Sequence, residues 1–247
     1  MDTHMLANLL FPQVTDTPED LEARYPVRDL PEGAVVTRMA PSPTGFVHLG
    51  NLVQGLVSER MAHQSGGVLF LRVEDTDAKR EVPGAVEVLI ETLKHYGIHF
   101  DEGATMDGDS GDYGPYRQRQ RAAIYHVYAK KLVEEGLAYP CFCTEEELTK
   151  MREAQEARKE NFGYYGSYAV WRDRPLEDVQ SALDAGKPWV LRFRSTGSIA
   201  NKFKYNDLVK GELTVTENDI DQVLLKSDGI PTYHFAHAVD DHLMRTT

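Results

Sequence analysis

Arg38-Met39-Ala40-Pro41-Ser42-Pro43-Thr44-Gly45-Phe46-Val47-His48-Leu49-Gly50-Asn51 is the stretch on which the reading of this chain turns. It begins inside Ala34-Val35-Val36-Thr37-Arg38-Met39, which reads as a short strand stopped by Pro41 and Pro43. Thr44-Gly45 marks a turn, after which Leu49, Leu52, Val53, Leu56, Val57, Arg60 and Met61 recur at helical spacing until Gly66-Gly67 ends the run. Val68–Val73 is a near-continuous apolar strand of the kind covered on both faces. A second helix follows from Pro83 through Val86, Leu89, Ile90 and Leu93 to Gly97. Strand, helix, strand, helix in close succession predicts a parallel βαβ unit, and hence an α/β fold with helices on both faces of a Rossmann-like sheet.

The opening stretch lies where the first strand hands over to the first helix, at the carboxyl edge of the predicted sheet. Ligands of open α/β sheets bind there, and a helix amino terminus offers free N–H groups to phosphate. The glycines do not form G-x-G-x-x-G, and G-x-x-x-x-G-K-[ST] is absent from the chain, which disfavours hydride transfer on a dinucleotide and phosphate-loop ATP hydrolysis. What remains is His48 two residues before Gly50, with Asn51 next. Gly50 would let a nucleotide ring approach the backbone, and His48 and Asn51 can donate to phosphate oxygens as charge builds during displacement at phosphorus.

Composition narrows the setting. The 247 residues carry 27 Lys+Arg against 39 Asp+Glu, a net charge of −12, which argues against coating nucleic acid or an anionic membrane by charge alone. No apolar run reaches the roughly 18–20 residues of a transmembrane helix. The start MDTHMLANLLFPQ lacks a basic flank and a long apolar stretch, so a soluble cytoplasmic protein is expected; separately, a monomer is expected. Two cysteines, Cys141 and Cys143, are too few for a disulfide framework. Residues 1–33, rich in Pro and acid, read as an extension wrapped on the surface. Asp101–Asp112 reads as a solvated acidic loop, and Arg117, Arg119 and Arg121 as a solvated helix face or a contact for RNA phosphate. Thr144-Glu145-Glu146-Glu147 has the capping-box form. Alternation at 189–194 predicts a half-buried strand, and Val223-Leu224-Leu225 another.

The fourteen-residue string resembles the His-Ile-Gly-His signature of class I aminoacyl-tRNA synthetases, here His48-Leu49-Gly50-Asn51, and Ala40–Gly45 before it is similar to the glutamyl and glutaminyl branch. Three further segments agree in order: Leu71-Arg72-Val73-Glu74-Asp75-Thr76-Asp77, then Gly114-Pro115-Tyr116-Arg117-Gln118-Arg119-Gln120-Arg121, and finally Lys226–Ala236 with Asp240-Asp241-His242-Leu243-Met244. The resemblance runs from about Leu6 to the last residue and is close to bacterial glutamyl-tRNA synthetases.

That resemblance implies ligation of L-glutamate to the 3′ end of tRNA(Glu) through a glutamyl adenylate, with ATP and its Mg²⁺ as substrate. It makes His48 and Asn51 catalytic, assigns His48, Gly50 and Asn51 to ATP, and assigns Arg38, Ala40, Ser42, Glu74, Tyr233 and His237 to glutamate. The chemistry is sensible: Glu74 can pair with the substrate amine, and Arg38 can grip a carboxylate. Tyr233 can add a directed hydrogen bond. Position 237 is His where the family pattern Tyr-x-x-x-Asn has Asn, although imidazole can still donate one hydrogen bond. Cys141-Phe142-Cys143 is similar to half of the zinc site of some members, but Tyr168 and Val170 stand where Cys-x-His would close it, so no metal ligand is assigned and a buried pair of cysteines is expected. Asp240-Asp241-His242 is taken as structural support near the nucleotide. The implied organisation is an extension over 1–33, the first half of the nucleotide-binding domain over 34–138, an inserted smaller α+β domain for the acceptor stem over 139–222, and the start of the second half over 223–247. No Lys-Met-Ser-Lys-Ser-like loop occurs before Thr247, so these residues alone are expected not to form adenylate. Alternatives are a tRNA-modifying glutamyl-queuosine synthetase, a small-molecule nucleotidylyltransferase, or a nucleotide- or RNA-binding fragment without activity.

Overall fold

The computed structural model describes residues 2–43, 45, 47–77 and 81–247. In chain order the elements are α1 (Thr3–Leu10), α2 (Pro18–Arg24), β1 (Val36–Met39), α3 (Leu49–Gln64), β2 (Val68–Leu71), α4 (Ala85–His95), β3 (Glu102–Thr105), β4 (Gly108–Ser110), α5 (Ala122–Glu134), β5 (Ala138–Cys141), α6 (Glu145–Arg158), α7 (Leu176–Asp184), β6 (Val190–Phe193), β7 (Lys202–Asp207), β8 (Gly211–Thr216), β9 (Val223–Leu225) and α8 (Tyr233–Leu243). Two compact units form, one from Val14–Tyr128 with Ile230–Thr247, the other from the residues up to Gln13 with Ala129–Gly229.

The first unit holds a four-stranded sheet in the order β1-β2-β3-β4. β1 pairs with β2 in parallel from Val36 against Val68 to Met39 against Leu71, and β2 pairs in parallel with β3. α3 and α4 make the two connections, so the βαβ unit expected from the apolar runs is present. β2 buries Leu69, Phe70 and Leu71 completely, as a central strand covered on both sides must. The architecture is a Rossmann-like α/β sheet interrupted in sequence by the second unit. There, β5, β6 and β9 form an antiparallel sheet, β7 and β8 form a separate hairpin, and α6 and α7 accompany them. Tyr139, Cys141, Tyr164 and Ala169 centre a small core, and Thr144 caps α6 through the box its sequence predicts.

Several expectations are corrected. Residues 2–33, expected to wrap on the surface, carry two capped helices with buried side chains: Asp2 caps α1 and Thr17 caps α2, and Leu6, Ala7, Leu10 and Leu21 are buried. Asp101–Asp112 is no solvated loop but contains the antiparallel pair β3–β4, in which Glu102 accepts from Arg28 Nη1 and Nη2 at 2.7 and 3.0 Å and from the Tyr116 hydroxyl at 2.9 Å. Arg121 leaves the basic trio for the interior, where it is fully buried. Val223–Leu225 was expected to return to the nucleotide-binding sheet; β9 instead pairs with β6. On α3 the apolar series is largely not what the helix buries. Leu49, Val53, Leu56, Val57 and Met61 are exposed, and the helix packs through Gly55, Glu59 and Ala62. A Cβ on Gly55 would stand 2.8 Å from Met39 Sδ, so it is the absence of a side chain that lets α3 approach β1 this closely. No helix among the described residues is long and apolar enough to cross a membrane.

Candidate active site

All the residues singled out as substrate-binding or catalytic fall in the first unit, at the ends of β1 and β2 and the starts of α3 and α8. Thr44 and Phe46, part of the opening string, lie outside the described residues. Beyond the two strands the chains stay paired: Arg72 N–H donates to Met39 O at 2.9 Å and Glu74 N–H to Pro41 O at 3.0 Å. This backbone pairing sets Glu74 beside the Ala40–Ser42 segment.

An open pocket of about 370 Å³ lies at this edge, lined among others by Pro41, Ser42, Gly45, His48, Asn51 and Val73. His48 is the N-cap of α3 and forms a capping box with Asn51. Its Nδ1 accepts from Gly50 N–H at 3.1 Å, and its own N–H donates to Asn51 Oδ1 at 3.1 Å. With Nδ1 acting as acceptor, the neutral ring carries its proton on Nε2, which is left as a donor on an exposed side chain. Asn51, whose oxygen is engaged, has no partner for its amide hydrogens among the described residues. Gly50 has a local reason as well: a Cβ there would lie 2.9 Å from His48 Cε1. The free N–H groups and dipole of the helix start add a field that favours anions.

Beside the pocket the charges alternate. Arg38 makes a side-on fork to Asp241, Nε to Oδ1 and Nη2 to Oδ2, both 3.2 Å, and its Nη2 also donates to His237 Nδ1 at 2.7 Å. Arg72, fully buried, donates to Asp241 Oδ1 at 2.7 Å and to Glu74 Oε1 at 3.1 Å. Behind them Asp240 accepts from Arg121 Nε at 2.6 Å, Gln118 Nε2 at 3.0 Å and the Tyr125 hydroxyl at 2.8 Å. Tyr233 is half exposed and stacks on His237 with ring centroids 5.6 Å apart. Ala40 lies half-buried one residue past the end of β1. Burial raises the Glu74 carboxyl above the ordinary glutamate value despite the charge and hydrogen bond of Arg72. Burial would do the same to Asp241, but hydrogen bonds and charge from Arg38 and Arg72 outweigh it and hold that group below the ordinary aspartate value.

The sequence brings Arg38, Glu74, Tyr233 and His237 into view but not the groups joining them. Arg72 is visible only as a neighbour of Glu74, and Asp241 only as part of an acidic run. The signal was available in the four-residue steps from Tyr233 to His237 to Asp241, which place all three on one face of α8. Cys141 is buried in β5, whereas Cys143 lies past its end, 3.5 Å from the Tyr164 hydroxyl. Among the described residues no three His, Cys, Asp or Glu side chains are grouped so as to hold a metal ion.

Opposite charges at the adjoining ends of parallel strands, beside a histidine-capped helix start, stand where open α/β sheets bind their ligands. Residues 34–247 match the catalytic domain of class I tRNA synthetases (E and Q), and the chain belongs to that family. It is 54% identical to a glutamate–tRNA ligase of Acetivibrio thermocellus and 50% identical to one of Clostridium perfringens, in each case over 100% of this chain and 45% of the relative. A crystal structure of a glutamate tRNA ligase from Elizabethkingia meningosepticum in complex with its amino acid superposes with a TM-score of 0.76 at 39% identity, over 86% of this chain and 42% of that one. The chain thus spans about half the length of the curated relatives it matches.

Proposed function

We propose that this chain carries the amino-acid-activating site of a glutamate–tRNA ligase. The glutamate α-carboxylate attacks the α-phosphorus of Mg–ATP in line, releasing pyrophosphate and leaving glutamyl adenylate. The 2′-hydroxyl of the terminal adenosine of tRNA(Glu) then attacks the carbonyl of that anhydride, transferring the glutamyl group and releasing AMP. Neither step requires a protein nucleophile. His48 Nε2–H and the Asn51 amide donate to phosphate oxygens, while Gly50 keeps the His48 ring seated on the helix start. Arg38 meets a substrate carboxylate and Glu74 the amine, with Ser42 and Ala40 between them and Tyr233 and His237 closing the side. The inserted residues 139–222 take the acceptor stem.

The observation that carries this reading is the pairing of an unlike-charged couple, Arg38 and Glu74, with a donor-bearing helix start on one short strand edge. A zwitterion with an extra carboxylate and a polyphosphate need that combination side by side. The test is ATP–pyrophosphate exchange by the full-length protein, with and without tRNA. Exchange should require glutamate, and His48→Ala should reduce it by about 100-fold or more, as for loss of a donor to developing charge, with the KM for glutamate nearly unchanged. Exchange independent of glutamate, or a His48→Ala protein of wild-type rate, would refute the proposal.

A further inference from the structure

We propose that Asp241 is the positioning residue of the glutamate site, fixing the Arg38 guanidinium in the one orientation that leaves its Nη1 edge for a substrate carboxylate. This rests on the ligase reading and names a residue that reading does not require.

A guanidinium has five N–H donors in a rigid plane, so which are engaged decides which edge remains. Asp241 takes Nε and one hydrogen of Nη2, and His237 Nδ1 takes the other hydrogen of Nη2. Among the described residues Nη1 has no hydrogen-bond partner. Arg38 is otherwise a long, partly exposed side chain, 18% accessible, with rotamers to lose.

Asp241 is itself held. Its Oδ1 is shared between Arg38 Nε and Arg72 Nη1, and Arg72 is immobilised in the interior with its other nitrogen on Glu74. The result is a chain of alternating charge, Arg38–Asp241–Arg72–Glu74, whose two ends are the groups that meet the two opposite charges of the amino acid. Taking the charge from Asp241 leaves two guanidiniums facing each other across a neutral group. An Asn at 241 keeps one acceptor but turns an NH₂ toward donors of Arg38 or Arg72, so the fork cannot re-form, and Arg38 is free to swing into solvent.

The experiment is a cycle of wild type, Asp241→Asn, Arg38→Ala and the double variant in the full-length protein, read as kcat/KM for glutamate and KM for ATP in pyrophosphate exchange. Asp241→Asn should lower kcat/KM for glutamate at least tenfold, mainly through KM, with the KM for ATP within twofold of wild type. In the Arg38→Ala background the same substitution should change kcat/KM less than twofold, because the group it orients is gone. An unchanged glutamate KM in Asp241→Asn, an equal rise in the ATP KM, or an undiminished effect in the Arg38→Ala background would overturn the inference. Should Asp241→Asn fail to fold, Asp241→Glu keeps the charge between the arginines but shifts it by a methylene. It should then raise the glutamate KM at least threefold, and a wild-type value would overturn the inference equally. A wild-type protein without glutamate-dependent exchange sinks the ligase reading and this inference with it. Wild-type exchange with an indifferent Asp241 sinks only the inference.

Discussion

Helix α3 turns Gly55, Glu59 and Ala62 toward the sheet and leaves Leu49, Val53 and Val57 in the open, whereas helix α8 buries Asp240 between the guanidiniums of Arg121 and Arg72. Both helices lie in the same unit, and both depart from a simple partition of apolar inside and polar outside. The reasons differ. In α3 the deciding quantity is distance: the helix lies so near β1 that any side chain at position 55 meets Met39, Ile98 or Leu93. In α8 it is charge balance: Arg38, Arg72 and Arg121 stand against Glu74, Asp240 and Asp241, with further hydrogen bonds to Asp240 from Gln118 and Tyr125, while Arg72 Nε, Arg121 Nη2 and Gln118 Oε1 have no hydrogen-bond partner among the described residues. A helix face is therefore read from what opposes it as much as from its own residues.

The comparison breaks most readily on the α8 side. Asp240→Ala leaves Arg121 and Arg72 buried without their shared anion, and should cost about 3–5 kcal/mol in the urea unfolding of the full-length protein. A loss below 1 kcal/mol would mean that the arginines find other partners and that balance is not what holds this helix. On the α3 side Gly55→Val should cost about 1–3 kcal/mol by forcing the helix off the sheet, read from the same transition. A neutral effect would show that the close approach is not enforced.

A third test uses the acid–base state of the network. Because burial raises Glu74, the native state holds its proton more tightly than the unfolded chain does. Its contribution to stability is therefore present below the ordinary glutamate value of 4.5 and is lost as pH rises through the higher native value. In the proposed function the sign reverses, since Glu74 would need its carboxylate to pair with the substrate amine. Glutamate kcat/KM should fall about tenfold per pH unit once pH drops below that raised value, with Glu74→Gln removing the dependence. A flat profile across the carboxylate range would remove Glu74 from the amine. The smallest effect on stability is expected for Gly50→Ala, where better helix propensity and a disturbed His48 cap nearly cancel, within about 0.5 kcal/mol. Pyrophosphate exchange should nevertheless drop, because the His48 ring must move off its seat. Wild-type exchange would show that the seat does not matter.

Much of the frame is legible from residue order. The apolar run at Val68–Val73, the prolines after Met39 and the glycines at 66 and 67 determine a strand–helix–strand start, because their effects act over a few residues of backbone. His48-Leu49-Gly50-Asn51 was likewise readable as a helix start, since capping is local. The charged runs were not. Asp101–Asp112 and Arg117–Arg121 look alike in being polar, yet Glu102 and Arg121 find partners at Arg28 and Asp240, far along the chain. The apolar spacing on α3 is limited in the same way: periodicity shows that a helix has two faces, not which one a neighbour covers.

The sequence by itself determined the opening strand–helix–strand–helix order, the break at the prolines, and the histidine-capped helix start, because each depends on backbone preferences and contacts within about four residues. Tertiary structure alone decided that Arg38 is gripped by a carboxylate 203 positions away, that Arg72 and Arg121 belong to the interior, and that α3 packs by its small residues. Those outcomes depend on which distant charges and surfaces share the same low-dielectric space, and that is a property of the packed fold rather than of any window of the chain.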